Sequence, residues 1–174
     1  MAGRLHLAPG ASGSLATLAP HATGLAARGI AVELVALPRG AATRSVVAYR
    51  AAVDDEPRPI IGGHSFGGRV ASLLAAERPL AGLVALSYPL HPPGRTERWE
   101  ERTAHWPQIT CPVLLLSGEA DPFARIDIMR DAVALLPTAE LVTYPCLRHG
   151  LGPVLDDVLD RIAAFVQGVG VLRS

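Results

Sequence analysis

Short apolar runs alternate along the chain with longer stretches in which apolar residues recur every three or four positions. Runs of this length are typical of buried strands, and the three-to-four spacing is typical of helices that bury one face. We predict six strands, at residues 4–8, 30–37, 59–62, 80–87, 112–117 and 139–144. We predict helices between them, at residues 15–25, 46–53, 66–78, 96–102, 124–135 and 151–166.

The alternation of strand and helix is typical of a parallel sheet, because each parallel neighbour requires a crossover connection. We therefore predict an α/β fold, a three-layer α/β/α sandwich with about six mostly parallel strands. The near-continuous apolar run at 30–37 is expected to be a strand buried on both faces. No linker or repeat divides the chain, so we expect a single domain over residues 1–174.

The composition of the chain excludes several classes of partner. Its 16 basic and 16 acidic residues cancel and no run of like charge stands out, which argues against a nucleic-acid or anionic-membrane partner. The histidines show no metal-ligand spacing, so we predict no metal and no cofactor. Cys111 and Cys146 form no CxxC pair, and we expect two buried thiols in a reducing compartment.

No apolar run reaches about 18 residues without proline, glycine or charge, so no transmembrane helix is predicted. The mostly apolar N-terminal stretch is interrupted by Pro9, Gly10, Gly13 and Pro20, which argues against a secretion signal. We expect a cytoplasmic protein, a monomer or homodimer, that acts on a small molecule.

The most informative motif is a G-x-S-x-G sequence, Gly63-His64-Ser65-Phe66-Gly67. It directly follows an apolar strand and directly precedes a predicted helix, which is the setting of a nucleophile elbow. Side chains at Gly63 and Gly67 would collide with the neighbouring strand and helix, and His64 is expected to support the turn. The motif predicts Ser65 as a nucleophile, and the alternative is a Gly-rich turn with an idle serine.

A serine nucleophile requires a base and an acid that orients the base. With such an elbow the chain order is Ser, acid, His, and each group follows a strand. Asp121 follows the strand at 112–117, and His149 follows the last strand. We predict Asp121 as the acid, with Glu119 as the fallback, and His149 as the base.

Acyl transfer also requires two amides aimed at the oxyanion that develops in the transition state. The Phe66 amide, at a helix N-terminus, is the first candidate, and the Ala11 amide in the Gly-rich loop after the first strand is the second. Further residues are expected to line the substrate site: Ser12, His91, Phe123 and Cys146.

Four stretches resemble the small α/β-hydrolases described as dienelactone-hydrolase-like. Within them the chain is similar to a subgroup whose eukaryotic relatives include a testis-expressed hydrolase-like protein and a subunit of a histone acetyltransferase complex. The stretches are 62–68 (GGHSFGG), 88–94 (YPLHPPG), 118–123 (GEADPF) and His149-Gly150. The resemblance implies a minimal α/β-hydrolase fold without a large cap and a triad of Ser65, Asp121 and His149. The chain departs from this family at Pro9-Gly10, where the relatives have His-Gly.

The leading hypothesis is therefore a serine esterase that hydrolyses carboxylic esters or thioesters through an acyl-enzyme. One alternative is a non-catalytic binding or scaffold protein that kept the fold and lost the chemistry. Another is an acyltransferase that uses the same triad. With only the 88–110 segment as cover, the site is expected to be open and shallow.

Overall fold

The core of the protein is a six-stranded sheet. A computed structural model describes residues 4–11 and 14–171. Every pair of neighbouring strands is parallel, and the strand order is β2-β1-β3-β4-β5-β6. The strands are β1 (Arg4–Ala8), β2 (Ala31–Leu34), β3 (Ile60–His64), β4 (Gly82–Leu86), β5 (Val113–Gly118) and β6 (Ala139–Tyr144). The predicted fold class is confirmed, and within the described residues all six strands run in one direction.

Helices connect the strands and cover both faces of the sheet. They are α1 (Ala19–Ala26), α2 (Ala42–Ala52), α3 (Phe66–Glu77), α4 (Trp99–Thr103), α5 (Ile126–Val133) and α6 (Leu155–Val171). Single 3₁₀ turns precede α1, α4 and α6, and another follows α4 at Trp106–Gln108. Among the described residues, no helix has the length and hydropathy needed to cross a bilayer.

The sheet separates two hydrophobic cores, because successive side chains of a strand point to opposite faces. Leu114 and Leu116 of β5 belong to the core under α1 and α6, whereas Val113 and Leu115 belong to the core under α2, α3 and α5. All five residues of β4 are buried. The central strands therefore read as continuous apolar runs, as expected for a parallel sheet covered on both faces.

The strand predicted at 30–37 is shorter and differently placed than expected. β2 pairs only with β1 at the edge of the sheet, and its residues are alternately exposed and half-buried. The prediction of burial on both faces was wrong for this strand. Whether a strand lies at the edge of a sheet depends on which other strands pair with it. The apolar run at 30–37 does not specify its partner strands.

The 88–110 segment, expected to be a cover, is largely part of a core. Tyr88 and Trp106 are both about 1% exposed, and their rings meet edge to face with centroids 5.0 Å apart. Leu90 and Ile109 are fully buried in the core that α3 contributes to. The segment therefore packs against α3 through its apolar side chains.

The carboxyl ends of the strands lie at one edge of the sheet. The chain passes from β1 to β2 on one side of β1 and then returns to β3 on its other side. Such a reversal leaves a crevice at the carboxyl ends, where ligands bind in open α/β sheets. The loops that follow β1, β3, β4, β5 and β6 contain the predicted site residues.

Candidate active site

Ser65 forms a strained turn between β3 and α3. Its backbone has φ 51° and ψ −115°, a conformation that residues with a side chain rarely adopt. The Ser65 amide donates to the carbonyl of Leu86 on β4 at 2.8 Å, which holds the turn in register with the sheet. Strain of this kind is characteristic of functional sites. The turn places the Ser65 side chain beyond the end of β3, outside the sheet.

The glycines on either side of Ser65 are required because the neighbouring backbone leaves no space for a side chain at these positions. A Cβ atom at Gly67 would lie 2.2 Å from the carbonyl oxygen of Ala8, and one at Gly63 would lie 2.5 Å from the carbonyl carbon of Gly67. Both distances are far below van der Waals contact and involve backbone atoms that cannot rotate away. The elbow therefore brings β3 and α3 closer to β1 than any side chain at these positions allows.

Ser65, His149 and Asp121 form one continuous chain of hydrogen bonds. His149 Nε2 lies 2.8 Å from Ser65 Oγ, and His149 Nδ1 lies 2.8 Å from Asp121 Oδ2. A carboxylate accepts only, so Nδ1–H is the donor and Nε2 is free to accept from the Ser65 hydroxyl. The Asp121 side chain is fully buried, whereas that of His149 is 25% exposed.

The Asp121 carboxylate is anchored at both oxygens. Oδ1 accepts a hydrogen bond from the backbone amide of Phe123 at 2.8 Å, while Oδ2 faces His149. Glu119, the fallback acid, is placed elsewhere: its Oε1 accepts from Thr143 Oγ1 at 2.8 Å and from Arg130 at 3.2 Å. Of the two carboxylates, Asp121 is the one in contact with His149.

The loops that hold Asp121 and His149 are in direct backbone contact. The Ala120 amide donates to the carbonyl of Leu147 at 2.8 Å. A Cβ atom at Gly118 would lie 2.3 Å from the carbonyl oxygens of both Leu147 and Arg148. The close approach at Gly118 sets the separation of the two loops, and the sequence alone did not identify this glycine as important.

His64 contacts the backbone of the predicted base. Its Nε2 lies 3.2 Å from the carbonyl oxygen of His149, and the two rings are 5.2 Å apart. Burial lowers the pKa of His64, which favours a neutral ring whose Nε2–H donates to that carbonyl. His64 therefore holds the His149 loop as well as the elbow.

Ala11 and Phe66, whose amides are the predicted oxyanion donors, both line one small cavity beside Ser65. Phe66 contributes the first amide of α3, and the first amides of a helix have no partner within it and favour an anion. A Cβ atom at Gly10 would lie 3.6 Å from Ser65 Cβ, so the loop after β1 adjoins the nucleophile. The cavity has a volume of about 80 Å³, and its lining residues are Pro9, Gly10, Ala11, Leu37, Pro38, Arg39, Gly40 and Phe66. Ser12, a predicted lining residue, lies outside the described residues.

His91 does not line an open site, contrary to expectation. The residue is 1% exposed, and both ring nitrogens have backbone partners. Nδ1 lies 2.9 Å from the carbonyl oxygen of Pro92, and Nε2 accepts from the Arg125 amide at 3.1 Å. The His91 amide also donates to the carbonyl of Phe123 at 3.0 Å. His91 therefore braces the loop that contains Asp121.

The remaining two lining candidates have different positions. The Phe123 ring lies against His149, with centroids 4.5 Å apart, and is half-buried. Cys146 is exposed in the turn after β6, where its φ is 62°. The expectation of two buried thiols is thus wrong for Cys146 and right for Cys111, where burial raises the pKa to about 11.

Two contributors to the site had no signal in the sequence. The buried Tyr49 hydroxyl accepts from the Gly62 amide at 3.1 Å and lies 2.8 Å from the carbonyl oxygen of His6, so it supports β3 just before the elbow. Arg39 reaches the cavity beside Ser65 from the loop after β2. Both positions follow from the packing of α2 and β2 beside β1.

Comparison with known proteins shows the family of the chain. Residues 40–157 match the model of a family described as an alpha/beta hydrolase domain. A search of curated proteins found no match. Three solved structures serve as examples of the many that have a similar fold.

A monoacylglycerol lipase from Paleococcus ferrophilus has a TM-score of 0.85 at 15% identity, over 96% of this chain and 95% of the lipase. Est1E from Butyrivibrio proteoclasticus has a TM-score of 0.79 at 16% identity, over 97% and 88% of the two chains. A structure described under two metagenome-derived lipolytic enzymes, LipS and LipT, has a TM-score of 0.77 at 16% identity, over 95% and 93%. At these identities the similarity shows the fold alone. By its fold and by the match over residues 40–157, the chain belongs to the alpha/beta hydrolase family.

Proposed function

We propose that this protein is a serine hydrolase that cleaves carboxylic esters or thioesters through an acyl-enzyme. The observation that carries the proposal is the unbroken hydrogen-bond chain Ser65–His149–Asp121, with both links at 2.8 Å. A serine hydroxyl is a poor nucleophile unless a neighbouring base takes its proton. His149 is that base, and the buried Asp121 carboxylate fixes the tautomer of the His149 ring.

In the first half-reaction, Ser65 Oγ attacks the acyl carbon while its proton passes to His149 Nε2. The carbonyl π electrons move to oxygen and form an oxyanion, and Asp121 stabilises the imidazolium. The intermediate then re-forms the C=O bond, expels the alcohol or thiol, and His149 returns the proton to this leaving group. The product is an ester of Ser65 with the acyl group.

In the second half-reaction, His149 takes a proton from a water molecule as the water oxygen attacks the acyl-enzyme. The second tetrahedral intermediate collapses, Ser65 Oγ leaves with the proton held by His149, and the carboxylic acid is released. The amides of Phe66 and Ala11 are proposed to bind the oxyanion in both half-reactions, and the proposal is supported by the position of both residues in the lining of one cavity. Each such donor contributes about 3–4 kcal/mol to transition-state stabilisation.

The narrower assignments stay predictions from the sequence. They are membership of the dienelactone-hydrolase-like subgroup, a single domain over residues 1–174, a cytoplasmic location and a monomeric or homodimeric state. A lipase and lipolytic enzymes share the fold, which makes an ester a reasonable first substrate to test.

The test is labelling by a fluorophosphonate probe together with turnover of p-nitrophenyl butyrate. We expect the wild-type protein to be labelled and active, and Ser65→Ala to lose labelling and about 10⁴–10⁶ in kcat. Ser87→Ala is the matched control, because Ser87 also has a positive φ, of 49°, but its side chain is buried. It is expected to keep both labelling and activity.

The outcomes separate the alternatives. Labelling and hydrolysis that persist in Ser65→Ala contradict the proposal. A folded wild-type protein that is neither labelled nor active supports the scaffold hypothesis instead. Preferential transfer of the acyl group to an added alcohol, in place of hydrolysis, indicates an acyltransferase.

A further inference from the structure

The arginines of the protein fall into two groups. Most pair with a carboxylate, but six in the described ranges 4–11 and 14–171 have no carboxylate within 4.0 Å of their guanidinium nitrogens. These six are Arg39, Arg44, Arg58, Arg69, Arg102 and Arg148. All but Arg58 lie in connections that leave the carboxyl ends of the strands, at the same edge as Ser65.

Two carboxylates at this edge are paired with arginines: Glu119 accepts from Thr143 and Arg130, and Asp127 pairs with Arg125. Asp121 faces the neutral ring of His149 and keeps its negative charge. Arg39 and Arg44, both in the connection after β2, place positive charge without a carboxylate partner at their part of the edge, although the whole chain has a formal net charge of zero. A cleft with one sign of charge concentrates ligands of the opposite sign.

One of the unpaired arginines, Arg39, lines the cavity beside Ser65. It shares this cavity with Gly10, Ala11 and Phe66, and no Asp or Glu is among the lining residues. Arg44, in the first turn of α2, reaches back to the same loop, since its Nη2 lies 3.1 Å from the position of a Cβ atom at Gly40. The residues of the two candidate oxyanion amides and a guanidinium without a carboxylate partner thus line the same cavity.

The position of the cavity indicates which part of a substrate it receives. The leaving group takes its proton from His149 Nε2 and must lie on the His149 side of Ser65. No residue of the His149 loop lines the cavity. The acyl group is therefore the part that extends into it, with its carbonyl oxygen towards the amides.

The chemistry of Arg39 indicates which group the far end of the acyl chain carries. The cavity is small, with a volume of about 80 Å³, and Arg39 is an exposed residue of its lining. A guanidinium binds a carboxylate through two parallel hydrogen bonds, which a neutral chain cannot offer.

We propose that the acyl group of the substrate ends in a carboxylate, and that Arg39 is the residue that selects it. The substrate class is then the half-ester or half-thioester of a dicarboxylic acid. This inference rests on the proposed function, because it assumes that Ser65 is acylated.

The experiment compares three ethyl esters with four-carbon acyl chains that differ only in terminal charge: monoethyl succinate, ethyl butyrate and the ethyl ester of 4-(trimethylammonio)butyrate. Ethyl esters are chosen because an ethoxide leaving group suppresses self-cleavage by the neighbouring carboxylate. We expect the wild-type protein to have the highest kcat/KM for the succinate, by about two- to fivefold over the butyrate. Added NaCl is expected to reduce this preference, because salt screens an exposed ion pair.

Arg39→Gln is expected to remove the preference for succinate over butyrate. Arg39→Glu is expected to reverse the preference towards the trimethylammonio ester. Arg58→Gln is the matched control, since Arg58 is also unpaired with any described carboxylate but precedes β3 at the opposite edge of the sheet. It is expected to keep the wild-type preference.

Two failures are distinguishable. If ethyl butyrate is hydrolysed but the three esters have equal kcat/KM, or if Arg39→Gln keeps the preference, this inference is wrong and the esterase proposal stands. If no ester is hydrolysed and fluorophosphonate does not label Ser65, the proposed function itself fails. A fluorescence or circular-dichroism melting curve for each variant checks that it is folded.

Discussion

Nε2 of His91 accepts a hydrogen bond from the backbone amide of Arg125 at 3.1 Å. The loop after β4 is thereby fastened to the loop after β5, four residues beyond Asp121. Since Nδ1 faces the carbonyl oxygen of Pro92, the ring is in the neutral tautomer with the proton on Nδ1. Because both ring nitrogens of the buried His91 form hydrogen bonds to backbone atoms, the ring fixes the position of the Asp121 loop relative to the loop after β4.

Replacing His91 by alanine is therefore expected to impair catalysis. The Arg125 amide loses its acceptor, the Asp121 loop loosens, and the geometry of His149 becomes less well defined. A displacement of about 1 Å in such a site costs up to a hundredfold in rate, so we expect kcat on p-nitrophenyl butyrate to fall by about 10- to 100-fold. KM is expected to change little, because His91 is buried and does not contact the cavity.

The control for this variant is His105→Ala. His105 belongs to the same 88–110 segment and is partly buried, but its Nε2 contacts Ser72 Oγ of α3 at 2.8 Å. Both variants are expected to lower the melting temperature, whereas only His91→Ala is expected to lower kcat strongly. Equal kcat losses in the two variants would mean that His91 acts through general stability alone.

The close packing of the elbow gives a second prediction. Gly67→Ala places a methyl group 2.2 Å from the Ala8 carbonyl oxygen, and neither backbone segment has room to move. We expect a loss of about 2–4 kcal/mol in the free energy of unfolding, measured by urea denaturation, together with loss of fluorophosphonate labelling.

Gly168→Ala is the matched substitution for Gly67→Ala. Gly168 lies in α6, and a Cβ atom there meets nothing within 4 Å. Alanine is the better residue in a helix interior, so this variant is expected to gain about 0.5–1 kcal/mol. A Gly67→Ala variant as stable as the wild type would show that β1 and α3 can separate enough to admit a methyl group.

The third prediction concerns the acid stability of the segment that packs on α3. Burial, together with the nearby positive charge of Arg69, lowers the pKa of His105 to about 4. The unfolded chain has a His pKa near 6.5 and so binds more protons than the folded chain between about pH 6.5 and pH 4. The contribution of His105 to stability is therefore complete above pH 6.5 and is lost as the pH falls towards 4.

We expect this effect to amount to about 1–2 kcal/mol, less than the full shift implies, because the ring is partly exposed to solvent. The measurement is a series of urea denaturation curves between pH 4 and pH 7. His105→Gln retains hydrogen-bonding capacity towards Ser72 without a titrating group, and its stability should depend less on pH over this window. An unchanged pH dependence in His105→Gln would assign the acid sensitivity to other groups, of which His21 and His64 also have pKa values lowered by burial.

The chain order of motifs was enough to predict which side chains meet. Ser65, Asp121 and His149 each follow a strand, and parallel strands bring their carboxyl ends to one edge, so local patterns predict the convergence without any coordinates. The alternation of strands and helices likewise predicted a six-stranded parallel sheet, because a parallel sheet requires crossovers.

The sequence could not assign the environment of individual residues. The apolar run at 30–37 is typical of an interior strand. β2 nevertheless lies at the edge, because the chain places β2 on one side of β1 and all later strands on the other side. His91 was expected at an open site, and the packing of the 88–110 segment instead buries it between two loops.

The sequence by itself thus determined the fold class and the residues that meet at the edge of the sheet, because strand length, helical spacing and turn glycines are local properties. Only the tertiary structure decided strand order, the buried bracing by His91 and Tyr49, and the exposure of Arg39 to the cavity beside Ser65. These depend on which distant segments pack together, and burial and pairing are properties of that packing rather than of any stretch of sequence.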